Sequence, residues 1–157
     1  MQEITAKEME DVVEDGDILF FRGTSLVSLA IMSITGGACS HVGIICDIGN
    51  IKFLCEADSN FSTMQGMVRA IPLVTHVKDL MKEGKIFIGR MRDRKNIGVV
   101  TNAVVELTGS TYDFTDIKNI AFNCIPFVQK KKHKDDSEYF CSELVDDCFS
   151  KIGVRLS

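Results

Sequence analysis

The strongest constraint on the fold is a pair of β-prone segments, residues 41–46 and 51–56, joined across the linker Asp47-Ile48-Gly49-Asn50. Glycine and asparagine both tolerate a positive φ, so a Gly-Asn pair favours a tight turn between antiparallel strands. If Ile48 pairs with Ile51, the numbers of any two opposed residues add up to 99. The sequence therefore predicts one β-hairpin in one register.

This register divides the hairpin into two faces, because opposed residues and alternate residues along a strand point to the same side. One face is wholly apolar: Val42, Ile44, Cys46, Phe53 and Cys55. The other face includes polar groups: His41, Gly43, Ile45, Asp47, Lys52, Leu54, Glu56 and Asp58. We expect a core on the first side of the hairpin and a polar pair of residues on the second.

The rest of the chain alternates between strand and helix patterns. Further strands are predicted at 18–22, 67–71 and 85–91, and helices at 26–34, 74–82, 97–107 and from Cys141 onward, with a weak helical signal over 112–124. No internal repeat or linker interrupts these elements. The 157 residues are therefore predicted to form a single α+β domain, residues 1–157, with an antiparallel sheet and flanking helices.

Composition excludes several classes of protein. A net charge of −4, with 45% hydrophobic and 25% charged residues, is ordinary for a globular chain and argues against a nucleic-acid-binding protein. No apolar run approaches the roughly 20 residues of a transmembrane helix, which leaves only peripheral membrane contact open. The polar, acidic N-terminus shows no signal peptide, so we expect a cytoplasmic location, although a leader removed earlier would leave no trace.

The six cysteines form no C-x-x-C pair, so we expect reduced thiols rather than a zinc site or a disulfide framework. Cys141 differs from the others because it follows the extended pair Tyr139-Phe140 and begins the last helix. The N–H groups and dipole at a helix N-terminus favour a thiolate and can bind an oxyanion. Buried structural cysteines are nevertheless common, and position alone leaves both roles open for Cys141.

The same reasoning ranks the thiols by reactivity. Four are predicted to be buried and slow to react: Cys46, Cys55, Cys124 and Cys148. Cys39, in the small-residue turn before His41, is the one competitor for Cys141. We expect Cys141 to be alkylated first at about pH 6, where an ordinary thiol is almost entirely protonated.

A nucleophilic cysteine needs a base, and the chain contains three histidines. His133 lies within a lysine run and His76 falls early in a predicted surface helix. His41 opens a strand, from which its ring could reach a cleft, or could simply bond to the backbone. In the predicted register Glu56 lies opposite Gly43, diagonal to His41, while Asp58 lies directly opposite His41 but at or beyond the end of the strand. Either carboxylate could orient the imidazole, and the register leaves this choice open.

Several of these segments together resemble a known family. In chain order they are Gly16-Asp17-Ile18-Leu19-Phe20, Ser40-His41-Val42-Gly43-Ile44, Glu56-Ala57 and Phe140-Cys141-Ser142-Glu143-Leu144-Val145. This order resembles the circularly permuted branch of the papain-like NlpC superfamily, the YiiX/YaeF-like hydrolases. The strand over 67–73, which ends in Ile-Pro-Leu, and Tyr112-Asp113 also resemble that branch, and the likeness extends from Gly16 to Ile152.

The resemblance implies a papain-like fold in permuted order and a thiol hydrolase that needs neither cofactor nor metal. It implies Cys141 as nucleophile, His41 as base and Glu56, rather than Asp58, as the residue that orients His41. The implied substrates are peptides, N-acyl amides or acyl lipids. Thiol-dependent acyl transfer or ester hydrolysis is the runner-up, and a catalytically silent lipid- or peptide-binding module is the alternative outside the enzymes. The sequence predicts no oligomeric state.

Three further segments have competing interpretations. The basic run Lys130–Lys134 is typical of a solvated loop, although it could meet anionic headgroups. The apolar helix over 26–34 favours core packing over an acyl-chain groove. Tyr112-Asp113 could shape a substrate cleft or cap the preceding turn.

Overall fold

The computed structural model describes residues 6–60, 65–112, 138–139 and 141–155. Within these ranges the helices are α1 (Ala6–Val12), α2 (Leu26–Thr35), α3 (Leu73–Glu83), α4 (Ile97–Leu107) and α5 (Cys141–Ser150). The strands are β1 (Ile18–Gly23), β2 (His41–Ile48), β3 (Ile51–Asn60), β4 (Gln65–Pro72), β5 (Gly84–Gly89), β6 (Thr111–Tyr112) and β7 (Glu138–Tyr139). The predicted α+β class is confirmed, while α1 has no counterpart among the predicted helices.

The hairpin of β2 and β3 forms in the predicted register. Ile48 lies opposite Ile51, and the numbers of all recorded partners between the two strands add up to 99. At the turn, φ is 61° for Gly49 and 64° for Asn50, the left-handed values that a two-residue hairpin turn requires. The turn chemistry therefore sets which side chains share a face.

The sheet extends on both sides of this hairpin. Among the described residues its strand order is β5-β1-β2-β3-β4-β6-β7, antiparallel except for the short parallel pair β6 and β7. β3 continues to Asn60 and pairs with β4, which places Asp58 opposite Met67. The expectation that Asp58 lies at or beyond the strand end was therefore wrong.

Helices cover both faces of the sheet. On the face predicted to be core, α4 and α5 bury a cluster that includes Val42, Ile44, Cys46, Cys55, Val104, Leu144 and Phe149. On the opposite face, α1 and α3 bury a second cluster: Met9, Val13, Leu19, Phe21, Ile45, Leu54, Leu73 and Val77. The prediction of a core on only one side was wrong, because the alternation within a hairpin does not show which helices will cover its second face.

Helix α2 has the predicted ends but not the predicted environment. The Ser25 side chain caps it by accepting a hydrogen bond of 3.1 Å from the backbone N–H of Ser28, and Gly36 ends it with φ of 67°. None of its residues is buried, and Leu26 is 85% exposed. Core packing was therefore the wrong interpretation of this apolar helix, since α1, α3, α4 and α5 already cover the two faces of the sheet.

A buried carboxylate anchors the entry into β1. Asp17 is 0% exposed, and its two oxygens accept hydrogen bonds of 2.8 and 2.6 Å from Arg90, one of 3.2 Å from Arg94 and one of 2.8 Å from the backbone N–H of Glu14. This cluster ties the start of β1 to the segment that follows β5.

Several predicted features lie outside the described residues: Asp113, Cys124, the run Lys130–Lys134 with His133, and most of the weak helical signal over 112–124. Among the helices that the structure describes, none combines the length and the hydropathy needed to cross a membrane.

Candidate active site

His41 is held at the first position of β2. It lies opposite Phe21 of β1, and the two rings stack with centroids 5.5 Å apart and planes 30° apart. The preceding residue, Ser40, donates its backbone N–H to the Phe21 carbonyl oxygen at 2.8 Å. These contacts fix the path of the chain into the strand and one face of the imidazole.

Glu56 reaches His41 from the neighbouring strand. Its Oε2 lies 2.8 Å from His41 Nε2, and the side chain is 1% exposed. A Cβ atom on Gly43 would stand only 3.2 Å from the Glu56 Cβ and 3.0 Å from the Cys55 carbonyl oxygen. The missing side chain of Gly43 therefore leaves the space that the register predicts for this carboxylate.

Cys141 begins α5, which packs on β2 and β3. It is 5% exposed, and its thiol lies close enough to the His41 ring to raise the pKa of His41. The structure thus brings the three predicted site residues together, with His41 hydrogen bonded to Glu56 and near Cys141.

These contacts change the ionisation of His41 and Glu56. Burial lowers the pKa of His41, but the interactions with Cys141 and Glu56 outweigh burial and raise the pKa to about 10. Burial likewise opposes ionisation of Glu56, but hydrogen bonds from His41 and His76 outweigh it and hold the pKa of Glu56 well below its usual range. The site therefore favours a charged imidazolium beside a charged carboxylate at neutral pH.

Two residues of the cluster were missed by the sequence prediction. His76 Nε2 of α3 lies 3.0 Å from Glu56 Oε1, although His76 was assigned to a solvent-exposed helix surface. Arg69 of β4, which stands opposite Glu56 in the sheet, donates to the same Oε1 from Nε at 3.2 Å and from Nη2 at 3.0 Å. Helical spacing could have indicated that His76 faces the protein, because it lies three residues after the buried Leu73 and therefore on the same side of α3.

Asp58, the competing carboxylate, forms an ion pair with the Arg69 guanidinium. The carboxylate at hydrogen-bond distance from His41 is that of Glu56. Among the described residues, the carboxylate that bonds to His41 is therefore Glu56 rather than Asp58, a choice that the register alone left open.

The other described thiols are held in the core or near it. Cys46, Cys55 and Cys148 are buried, as their predicted faces require. A hydrogen bond with Cys55 and burial raise the pKa of Cys46, and burial raises the pKa of Cys148 to about 12. Burial also raises the pKa of Cys39, against the opposing charge of Arg22.

The described residues contain no group of three or more His, Cys, Asp or Glu side chains arranged to hold a metal ion. His41, Glu56 and His76 come together in the site, and each imidazole pairs with one oxygen of the Glu56 carboxylate. Arg69 adds a positive charge at the same carboxylate, which disfavours a cation there. These residues do not fit a metal site.

Comparison with known structures supports the topology. The crystal structure of metalloprotein YiiX from Escherichia coli O157:H7 superposes with a TM-score of 0.65 over 91% of this chain and 68% of that chain, at 21% sequence identity. At this identity the likeness concerns the fold, and the metal in that title belongs to that protein. A comparison with curated proteins finds no match.

The family assignment comes from the sequence itself. A family model described as "Permuted papain-like amidase enzyme, YaeF/YiiX, C92 family" matches residues 12–157. That range includes the predicted histidine strand, the glutamate and the cysteine helix in permuted order. The chain therefore belongs to the YaeF/YiiX family of permuted papain-like amidases.

Proposed function

We propose that this protein hydrolyses an amide bond, in a peptide or an N-acyl amide, through a thioester on Cys141. His41 is the general base and acid, and Glu56 orients its ring. One observation carries the proposal: the His41 ring is hydrogen bonded to the buried Glu56 carboxylate and lies close enough to the Cys141 thiol for that thiol to raise the pKa of His41. A nucleophile, a base and an orienting group in series are the arrangement that nucleophilic catalysis requires.

The arrangement of the two ring nitrogens of His41 supports these roles. Nε2 of His41 is engaged by Glu56 Oε2, which leaves Nδ1 as the ring nitrogen for Cys141. A carboxylate at Nε2 fixes the ring orientation and stabilises the imidazolium. With a pKa of about 10, His41 holds a proton at neutral pH, and a positive charge beside Cys141 favours the nucleophilic thiolate.

The reaction follows from these roles. Cys141 Sγ attacks the carbonyl carbon, and the oxyanion is bound by N–H groups at the N-terminus of α5. His41 gives its proton to the leaving amine as the C–N bond breaks, which leaves a thioester and a neutral imidazole. His41 then takes a proton from water, whose oxygen attacks the thioester. The C–S bond then breaks and the acid is released, which restores the Cys141 sulfur beside the protonated His41.

An acyl-lipid substrate, with ester hydrolysis or acyl transfer, is the second candidate. The observation that favours it is α2, a helix without a charged residue and without a buried one, which leads through a short turn to His41. Exposed apolar surface next to a reactive centre suits a substrate with a hydrocarbon chain.

Trapping the acyl-enzyme tests the proposal. The full chain is incubated with p-nitrophenyl acetate, a long-chain acyl ester, a short N-acetyl peptide amide and an N-acyl amide with a long chain, and the intact mass and the modified residue are determined. We expect an acyl adduct on Cys141 and release of the acid, both absent in Cys141→Ala and His41→Ala. An adduct only from long-chain esters supports the lipid candidate, and binding without any adduct or turnover supports the silent module.

A further inference from the structure

The Glu56 carboxylate divides its two oxygens between different partners. Oε2 faces His41 Nε2 at 2.8 Å. Oε1 faces His76 Nε2 at 3.0 Å and receives two N–H groups of Arg69 at 3.2 and 3.0 Å. Among the described residues, the donors at Oε1 therefore come from α3 and β4, whereas the donor at Oε2 comes from β2.

This division fixes the carboxylate in its plane. A carboxylate that is 1% exposed has almost no water to bond, so a change of rotamer would leave donors and acceptors unpaired inside the protein. As long as Oε1 is held by His76 and Arg69, Oε2 points at His41. The orientation of His41 thus depends on groups that do not touch it.

His76 is in turn held in place by packing. Its neighbours on α3, Leu73 and Val77, are fully buried in the cluster that also contains Phe21. Phe21 is the ring on which His41 stacks. The helix that carries His76 and the strand that supports His41 therefore share one core, which fixes the distance between the two histidines.

From these contacts we propose that His76 is a positioning residue for the reaction: together with Arg69 it holds Oε1 of Glu56, so that Oε2 keeps the His41 ring aligned with Cys141. The proposal rests on the proposed function. It assigns His76 no contact with the substrate and no proton transfer. Its contribution is to the turnover step rather than to substrate binding, because the geometry that it maintains matters most when charge develops on the imidazole.

Three variants of the full chain test this role. His76→Leu removes the donor at Oε1, His76→Gln keeps an amide N–H for it, and Lys78→Ala changes an exposed residue on the same helix as the matched control. Two quantities are measured: turnover of p-nitrophenyl acetate, and the downfield proton resonance of the His41 ring N–H bonded to Glu56, assigned by its loss in His41→Gln. Thermal melting checks that each variant is folded.

We expect kcat of His76→Leu to fall about tenfold with KM unchanged, the usual scale for losing one hydrogen bond to a charged group, and the His41 resonance to shift or broaden. His76→Gln should recover most of kcat and the resonance, and Lys78→Ala should match the wild type. If His76→Leu unfolds the protein, His76→Asn, whose shorter side chain places its amide short of Oε1, takes its place with the same expected result.

An unchanged resonance and kcat in His76→Leu would overturn the proposal. So would a His76→Gln that is as impaired as His76→Leu, since rescue by an N–H donor is what distinguishes positioning from packing. The resonance is measured in the resting protein and does not need turnover. If the wild type forms no acyl-enzyme, the proposed function fails, while the resonance still decides whether His76 aligns Glu56 and His41.

Discussion

Among the residues that the structure describes, two carboxylates are buried, and their partners differ. Asp17 is bonded to Arg90, Arg94 and the backbone, whereas Glu56 is bonded to two imidazoles and one guanidinium. Both side chains are almost fully shielded from water, at 0% and 1% exposure. Burial alone therefore does not separate a structural carboxylate from one in a candidate active site.

The difference lies in what the partners can do. Arginine stays protonated at any physiological pH and cannot act as an acid or a base there, and its hydrogen bond to the Asp17 carboxylate raises the pKa of Arg90 still further. Imidazole gains and loses a proton near neutrality. The Asp17 cluster can hold two segments together, while the Glu56 cluster can also hold a proton ready for transfer to a neighbouring group.

The largest expected effect is the loss of turnover when the Glu56 carboxylate is replaced by an amide. In Glu56→Gln, His41 loses the charge that orients it and stabilises its protonated form. Turnover should fall by about 100- to 1,000-fold, less than in Cys141→Ala or His41→Ala, where it should be abolished. Steady-state kinetics on p-nitrophenyl acetate, with circular dichroism to confirm folding, measures this loss.

Asp58→Asn is the matched control for that experiment, because Asp58 shares Arg69 with Glu56 without bonding to His41. Its turnover should stay within about threefold of the wild type, as expected for a partly exposed ion pair. A damaging Asp58→Asn beside a harmless Glu56→Gln would show that the third residue has been misassigned.

The second prediction concerns the loss of stability when the Asp17 carboxylate is replaced by an amide. Asp17→Asn leaves the guanidinium groups of Arg90 and Arg94 facing an amide in a buried site, which should cost about 3 kcal/mol of unfolding free energy. Urea denaturation measures this loss, and kcat at a temperature where the variant is folded should change little. Asp79→Asn, which removes only an exposed pair with Lys82, should cost a few tenths of a kcal/mol. A large fall in kcat for folded Asp17→Asn would contradict the distinction drawn here.

Much of the site could be predicted because it depends on local rules. The Gly49-Asn50 turn fixes the hairpin register, and the register puts Glu56 beside the space at Gly43 and near His41. The position of Cys141 at a helix start follows from the apolar stripe of α5. What the register could not decide was the choice between Glu56 and Asp58, because it depends on how far β3 continues and on which carboxylate lies within hydrogen-bond distance of the His41 ring.

The missed features depend on tertiary contacts. His76 joins the site only because α3 packs on the second face of the sheet, and hairpin alternation gave no sign that this face would be covered. The same omission led to the wrong environment for α2. An apolar helix is expected to pack on a sheet face only if no other helix covers that face, and here α1, α3, α4 and α5 already cover both faces. Helix periodicity indicates which side of α3 is buried but not which strand it meets.

A third prediction concerns pH and contrasts the two clusters directly. The pKa of His41 rises from its ordinary value of 6.5 to about 10 on folding, so its contribution to stability is complete below about pH 6.5 and is lost as the pH rises through 10. The pKa of Glu56 is lowered from 4.5, so its contribution is complete above about pH 4.5 and is lost as the pH falls through the lower, folded-state pKa. Both contributions are present between these limits.

The measurement is the difference in unfolding free energy between the wild type and Glu56→Gln, from urea titrations at several pH values. We expect the difference to shrink by about 1–2 kcal/mol between pH 6 and pH 10, as His41 loses its charge. The corresponding difference for Asp17→Asn should stay constant, because its arginine partners remain charged over that range. Equal pH dependence in both variants would remove the contrast between the clusters.

The smallest expected effect is on thiol reactivity. The experiment tests whether Glu56, by keeping the His41 ring protonated, affects the reactivity of Cys141. The wild type is alkylated with iodoacetamide at about pH 6, a reagent small enough for a thiol that is 5% exposed, and the modified residues are mapped by mass spectrometry. Cys141 should react first, because an imidazolium and a helix N-terminus both favour its thiolate, whereas burial raises the pKa of Cys39 and Cys148.

Replacing His41 by alanine should slow the alkylation of Cys141 about tenfold, and Glu56→Gln should slow it about threefold, since the ring remains but is less often charged. Asp17→Asn should leave the rate unchanged, because the Asp17 cluster does not include the Cys141–His41 pair. If Cys39 reacts first, or if His41→Ala leaves the rate at Cys141 unchanged, the Cys141–His41 pair does not act as a unit, and the Glu56 cluster then differs from the Asp17 cluster only in its partners.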